Sequence, residues 1–219
     1  MSGCAVDHLV IAAHSLAQGV AWCEATLGVT PGLGGQHPLM GTHNRLLRID
    51  GPGFEACYLE IIAIDPAAPM PQRARWFGLG EAALQASLRE SPRLLGGVLR
   101  SRQLDALHLG LGALDQDIGP LLAAERQTLE GRLAWRIAVR DDGNWPGGGR
   151  LPTLIEWAGR HPTEAMAVSA LQLQSLAFGQ LSAAEAGMLQ LPATLLREGG
   201  AALSLKLNTP LGVVTLETK

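Results

Sequence analysis

The sequence has few aromatic residues, no excess of basic charge and no long apolar run. Phe, Trp and Tyr make up 4% of its 219 residues, so the core must consist mainly of aliphatic side chains. Lys and Arg total 17 against 20 Asp and Glu, which gives a formal net charge of −3. No local Lys/Arg run compensates for this balance, so we expect no binding to the phosphate backbone of nucleic acid.

Signals for membranes, secretion and several catalytic classes are also missing. No apolar run approaches the ~20 residues that span a bilayer, and the start "MSGCAVDH" lacks the features of a signal peptide. We therefore expect no membrane partner and a cytoplasmic location. The cysteines Cys4, Cys23 and Cys57 form no CxxC motif, which argues against a disulfide framework or a cysteine zinc site. GxGxxG, GxxxxGK[ST] and GxSxG motifs do not occur.

What the sequence does contain is a repeated order of elements. The first copy is predicted over residues 4–64 and reads as a strand, a helix and further strands. Its predicted elements are a strand at 5–12, a helix at 16–27 between the N-cap Ser15 and Gly28, and strands at 44–49 and 55–64. Residues 65–104, which begin with a Pro-rich stretch, are predicted to be a connector with a short helix around 80–89.

Two more copies of this order are predicted downstream. The second, over residues 105–160, has a strand at 106–112, a helix from the N-cap Asp115 to about 125, and strands at 133–139 and 152–158. The third, over residues 166–219, is more compact, with a strand at 169–176, a helix capped by Ser182, and strands at 201–207 and 212–218. Three copies of mixed strand and helix indicate an α+β fold.

When the first two copies are aligned, His8 falls on His108 and Glu60 falls on Glu156. The two histidines stand on the first predicted strand of their units, and the two glutamates stand on the last. Two imidazoles and two carboxylates that converge in a cavity would suit Ni, Zn, Mn or Fe(II). The alternative is that each His is a buried core residue and each Glu a rim residue.

Two further segments bear on the site. In the third copy, Glu217 keeps the carboxylate, but Gln172 and Gln174 stand where a His would be expected. The stretch "GGQHPLMGTHN" at 34–44 combines glycines with polar side chains and could form a substrate-binding lip. Its candidate residues are His37, Thr42 and Asn44. The alternative is a polar loop whose side chains cap backbone groups.

Three stretches of the sequence are typical of a known family, namely "DHLVIAAHSLAQGVAWCEATLG", "YLEIIAIDP" and "LIEWAGRHP". Through them, nearly the whole chain resembles the glyoxalase-like branch of the vicinal oxygen chelate superfamily. The resemblance implies repeated βαβββ units that form an open, curved, mixed β-barrel-like sheet with flanking helices. It also implies metal ligands on the first and last strands of each paired unit. Carried over to this chain, these are His8, Glu60, His108 and Glu156. If unit one pairs with unit three instead, the set shrinks to His8, Glu60 and Glu217 with a Gln.

Two functions follow as expectations. The first is a divalent-metal-dependent lyase or isomerase that acts on a small substrate with vicinal oxygens, with Glu60 and Glu156 as catalytic carboxylates that shuttle protons. The second is a metal-free protein that binds or sequesters a small molecule, as resistance proteins of this superfamily do. In both cases the partner is a small molecule, and exposed sheet edges would suit a homodimer.

Overall fold

The computed structural model describes residues 3–128 and 130–219, which form eleven β-strands and four α-helices. The strands are β1 (Ala5–Ala12), β2 (Gly32–His37), β3 (Thr42–Arg48), β4 (Tyr58–Ile64), β5 (Arg93–Arg100), β6 (Leu121–Thr128), β7 (Gly131–Ala138), β8 (Thr153–Ala158), β9 (Gln172–Phe178), β10 (Leu203–Thr209) and β11 (Gly212–Glu217). The helices are α1 (Leu16–Leu27), α2 (Ala82–Glu90), α3 (Leu104–Gly112) and α4 (Ala183–Met188). Within these ranges, no helix is both long and apolar enough to cross a membrane.

Eight of the strands form one mixed sheet in the order β2-β3-β4-β1-β5-β8-β7-β6. At its centre β1 and β5 pair antiparallel, while β1 with β4 and β5 with β8 pair parallel. The unit β1-α1-β2-β3-β4 thus lies edge to edge with the unit β5-α3-β6-β7-β8. The edge strands β2 and β6 approach each other, so the curved sheet nearly closes. The predicted α+β fold with an open, barrel-like sheet is confirmed.

The third copy does not join this sheet. Its strands β9, β10 and β11 form a separate three-stranded sheet. A Cβ added at Gly97 of β5 would lie 3.5 Å from Leu203 and 3.7 Å from Phe178, so β10 and β9 pack directly on one face of β5. Unit one therefore pairs with unit two, and unit three covers the outer face of their sheet.

The large sheet separates two hydrophobic clusters, because successive side chains of a strand point to opposite faces. Leu9 and Ile11 of β1 belong to the outer cluster, which includes residues of the helices and of the third unit. Val10 and Ala12 belong to the inner cluster on the concave face. The cysteines among the described residues are buried and form no disulfide bond.

The first helix follows its sequence signals. The Ser15 side chain accepts a hydrogen bond from the Gln18 backbone N–H at 3.2 Å, and Gly28 ends the helix with a φ of 70°. A left-handed backbone of this kind favours glycine. The N-cap and C-cap predictions for α1 are confirmed.

The prediction of a strand at 106–112 is wrong, because this segment belongs to α3. Leu107, Leu109 and Leu111 alternate as in a strand, but Leu109 is 74% exposed. The buried residues are Leu104, Leu107 and Leu111, which follow the helical repeat. The first strand of unit two is instead β5, which lies within the segment 65–104.

The helix predicted from Asp115 to about 125 is also wrong, because β6 begins at Leu121.

Strand β5 was not predicted because it contains two adjacent glycines, Gly96 and Gly97, and glycine is depleted in strands. The structure uses Gly96 for close packing: a Cβ there would meet the Trp145 ring at 2.9 to 3.0 Å.

Candidate functional site

The concave face of the large sheet encloses a small cavity between units one and two. Its free volume is about 30 Å³, enough for one or two water molecules. Five of the nine Phe, Trp and Tyr residues line it, although aromatic residues are scarce in the chain. These five are Tyr58, Trp76, Phe77, Trp135 and Trp157. The remaining lining includes His8, His37, Asn44, Glu60 and Arg126.

A β-bulge in β1 lets the Asp7 side chain contact His8, which lines this cavity. Val6 pairs with Leu99 of β5 and His8 with Val98, so Asp7 is the extra residue between them. In a regular strand the side chains of residues 7 and 8 would point to opposite faces, and a bulge relaxes that rule. As a result His8 Nδ1 donates a hydrogen bond to Asp7 Oδ1 at 2.6 Å.

Asp7 is completely buried and accepts hydrogen bonds from three side chains. Besides His8, its donors are Trp157 Nε1–H and His161 Nε2–H, each at 3.0 Å from Oδ2. His161 Nδ1 accepts from the Thr163 backbone N–H, which leaves the ring proton on Nε2. Burial alone would raise the pKa of Asp7, but the hydrogen bonds from His161 and His8 hold it well below its ordinary value. Asp7 is therefore an ionised carboxylate that fixes the His8 ring.

Glu60 of β4 faces the other nitrogen of His8. His8 Nε2 and Glu60 Oε2 are 3.6 Å apart, and both side chains are almost fully buried. The Tyr58 ring, on the same face of β4, stacks on the His8 ring with centroids 4.7 Å apart. Burial raises the pKa of Tyr58 well above its ordinary value, so the phenol stays neutral. The sequence-predicted pair His8 and Glu60 is thus brought together.

The three residues predicted as a substrate lip form a buried network behind Glu60. Asn44 Nδ2 donates to Glu60 Oε1 at 2.6 Å and lies 3.4 Å from His37 Nε2. His37 Nδ1 lies 3.1 Å from the Thr42 hydroxyl, which also accepts from Trp76 Nε1–H at 3.2 Å. Burial lowers the pKa of His37 to about 3, so its ring is neutral. These residues support Glu60 rather than form an exposed lip.

His108 and Glu156 are not part of this cavity. His108 lies on α3, where its Nε2 is 2.9 Å from the Gly119 carbonyl oxygen. Glu156 accepts from Arg136 Nε at 3.0 Å, and Arg136 also binds Asp105 of α3. Since Trp157 points into the cavity, its neighbour Glu156 points to the outer, helix-covered face. The alignment of His8 with His108 is therefore wrong, and the structure does not bring the four predicted ligands together.

A family model described as "Glyoxalase-like domain" matches residues 6–190, most of the chain. The protein belongs to the glyoxalase-like domain family. This agrees with the glyoxalase-like resemblance of the sequence. No functionally curated protein sequence matches the chain.

Several solved structures are similar to the chain at low sequence identity. A hypothetical protein from Staphylococcus aureus is 14% identical with a TM-score of 0.57, over 99% of this chain and 86% of that one. A variant of methylmalonyl-CoA epimerase from Streptomyces coelicolor, in complex with 2-nitronate-propionyl-CoA, is 18% identical with a TM-score of 0.44. That match covers 72% of this chain and 100% of the epimerase. The epimerase from Mycobacterium tuberculosis is 16% identical with a TM-score of 0.42, over 75% and 92% of the two chains.

The donors in the cavity of this glyoxalase-like protein do not fit a divalent metal ion. In unit two, β5 and β8 take the places that β1 and β4 hold in unit one. Their inward-facing residues include Gly96 and Val98 of β5 and Thr153, Ile155 and Trp157 of β8. None of these supplies an imidazole or a carboxylate, so His8 and Glu60 lack partners from the second unit. In the part of the chain that the structure describes, no cluster of three or more His, Cys, Asp or Glu could hold a metal.

Sequence reasoning missed Asp7, Tyr58, Trp157 and Arg126 as site residues. Asp7 adjoins His8, and strict alternation along a strand would send it to the opposite face. The bulge that corrects this depends on pairing with β5, which was itself not predicted. Tyr58 could have been predicted from the sequence, since it stands two residues before Glu60 in "YLE" and therefore lies on the same face of the strand.

Proposed function

We propose that the protein catalyses proton transfer on a small oxygen-bearing substrate, as an isomerase or lyase that uses no metal ion. The observation that carries this proposal is the buried line Asp7, His8 and Glu60 in an aromatic-walled cavity. Buried histidine and carboxylate groups that face each other in a cleft are characteristic of acid–base sites.

His8 and Glu60 each leave one atom free for chemistry, whereas both oxygens of Asp7 are engaged. Asp7 engages His8 through Nδ1, so Nε2 is free and faces the cavity. Asn44 engages Glu60 through Oε1, so Oε2 is free, and no hydrogen bond reaches it from the described residues. The 3.6 Å between the free atoms exceeds a hydrogen bond, and a substrate can use both.

The reaction that fits these atoms begins with loss of a proton from carbon. Glu60 Oε2 accepts a proton from a carbon next to a carbonyl group, and the C–H electron pair moves into an enolate. Protonated His8 donates its Nε2 proton to the enolate oxygen, while Asp7 stabilises the imidazolium through Nδ1. Return of a proton to the carbon completes an isomerisation, and expulsion of a neighbouring leaving group completes an elimination.

Exchange of carbon-bound protons for deuterium in D₂O tests this mechanism directly. Small 2-hydroxy and 2-oxo compounds are followed by ¹H NMR with the wild-type protein, Glu60→Gln and Glu156→Gln. We expect exchange with the wild type, a loss of about 10²-fold or more in Glu60→Gln, and no comparable loss in Glu156→Gln, because Glu156 lies on the outer face. Addition of a chelator should leave the rate unchanged.

Equal exchange rates in Glu60→Gln and wild type would contradict the proposal, as would loss of exchange on treatment with chelator.

A second function, metal-free small-molecule binding, is favoured by a groove of about 920 Å³ that adjoins the cavity at Leu46 and Arg126. Binding of a ligand in this groove without any proton exchange in the panel would support binding over catalysis.

A further inference from the structure

Arg126 is a cation without a counter-charge at the junction of the cavity and the groove. It lies on β6 and faces inward with Leu122 and Ala124, which pack against the inner cluster. Its Nη1 is 3.5 Å from Asn44 Oδ1, and its Nε is buried with no hydrogen-bond partner. Across residues 3–128 and 130–219, no carboxylate forms an ion pair with Arg126.

The other arginines that line the groove differ in this respect. Arg48 pairs with Asp50, and Arg160 lies 3.8 Å from Glu164. Their charges are therefore compensated within the protein. A partly buried guanidinium with an unbonded N–H is unfavourable unless an anion or water completes its hydrogen bonds. Among the cations of this region, Arg126 is the one placed to receive an anion from a ligand.

The position of Arg126 relative to the acid–base pair limits the size of that ligand. The Asn44 amide spans the space between them, because its Oδ1 faces Arg126 and its Nδ2 binds Glu60. Gly35 of β2 makes room for the guanidinium, since a Cβ there would overlap Arg126. An anion at Arg126 is thus separated from Glu60 by the Asn44 amide, which lies 3.5 Å from Arg126 Nη1 and 2.6 Å from Glu60 Oε1.

We propose that Arg126 binds the carboxylate of the substrate, which makes the substrate a small 2-oxo or 2-hydroxy carboxylic acid. The planar guanidinium presents paired N–H donors that match a carboxylate. The body of the acid lies in the groove, and the carbon that bears the exchangeable proton, C3 of a 2-oxo acid or C2 of a 2-hydroxy acid, points toward Glu60 and His8. This substrate class rests on the proposed function.

A purely structural role for Arg126 would be to hold β6 against β2 across the gap in the sheet. That role gives no preference between an acid and its uncharged amide. Binding of matched acid and amide pairs therefore separates the two explanations.

Dissociation constants of lactate, pyruvate, lactamide and pyruvamide, measured by NMR titration at neutral pH, test the assignment. We expect the wild type to bind each acid at least about tenfold more tightly than its amide. Arg126→Met should abolish this preference, and Arg126→Lys should restore part of it. Arg132→Met is the matched control, because Arg132 on the neighbouring strand β7 is 61% exposed and pairs with Glu125. Circular dichroism checks that each variant is folded.

Equal binding of acids and amides by the wild type, binding of neither, or an acid preference that survives in Arg126→Met would each overturn the assignment. Tighter binding of inorganic phosphate than of either acid would overturn the carboxylate in particular. These measurements distinguish failure of the proposed function from failure of the Arg126 assignment. Acid binding that depends on Arg126, without any proton exchange, would contradict the proposed reaction and support the carboxylate site at Arg126. Proton exchange without a preference for acids over amides would contradict the role of Arg126 and support the proposed reaction.

Discussion

At the scale of single residues, the site depends on charges that burial would disfavour without partners. Asp7 keeps its charge because three donors surround it, whereas His37 stays neutral because burial dominates. Glu60 receives the Asn44 amide and faces His8. The ionisation states of Asp7 and His37 are therefore set by their surroundings in the fold, and each leads to a separate prediction.

Replacement of Asp7 should impair both stability and activity. In Asp7→Asn we expect a loss of about 2 kcal/mol of unfolding free energy at pH 7, since charged hydrogen bonds are removed. The pKa of Asp7 is lowered in the folded state, so its contribution is present above the unfolded pKa near 3.9 and is lost as the pH falls below that value. Urea unfolding at pH 7 and pH 3 should therefore show a gap between variant and wild type that shrinks in acid.

In the proposed mechanism Asp7 acts through its hydrogen bond to His8 and does not line the cavity, so it is a positioning residue. In Asp7→Asn the proton-exchange rate should fall and its pH profile should shift, because His8 loses its fixed orientation and its negative partner. A lower stability with an unchanged exchange rate and pH profile would restrict Asp7 to a structural role.

Buried His37 should make the protein sensitive to mild acid. Burial lowers its pKa from 6.5 to about 3, so below pH 6.5 the unfolded chain takes up a proton that the folded chain does not. Between pH 6 and pH 4 the wild type should lose about 2 kcal/mol of unfolding free energy more than His37→Gln does. Urea unfolding at several pH values measures the two slopes, and equal slopes would show that His37 is protonated in the folded state.

At the scale of elements, β2 supports the site through its glycines. A Cβ at Gly34 would overlap the side-chain and main-chain oxygens of Asn44, whereas a Cβ at Gly32 would lie 3.4 Å from the Leu46 carbonyl oxygen. Gly34→Ala should therefore cost about 1 to 3 kcal/mol of unfolding free energy and reduce proton exchange, since Asn44 moves away from Glu60. Gly32→Ala, on the same strand, is the matched control for thermal unfolding and activity. Similar effects of the two substitutions would contradict this role for Gly34.

Prediction from sequence succeeded where local signals agreed with the tertiary packing. The cap residues of α1 and the apolar runs of β1 and β4 identified these elements, and with them His8 and Glu60. It failed at α3, where "ALHLGLG" suits both a strand and a helix, and at β5, whose two glycines weaken the strand pattern. Since a segment of helix α3 was aligned with β1, the residues carried over for unit two, His108 and Glu156, lie outside the cavity.

At the scale of the whole molecule, the placement of the third unit decides which side chains can reach the cavity. Its sheet packs on the outer face, so Glu217 of β11 lies away from the inner face and is 3.7 Å from Arg197. The homodimer suggested by exposed sheet edges stays a prediction. One such edge is β11, where Val213 is 60% exposed.

The sequence by itself determined the α+β class, the glyoxalase-like family and the elements β1, α1 and β4, which carry His8 and Glu60, because these follow from local patterning and motifs. Only the tertiary structure decided which units pair, that unit two contributes aromatic and aliphatic walls instead of ligands, and that Asp7 and Arg126 join the site. The bulge, the pairing of β1 with β5 and the approach of β6 to β2 are contacts between residues distant in sequence. No local pattern encodes them, since they depend on which strands meet in the folded sheet.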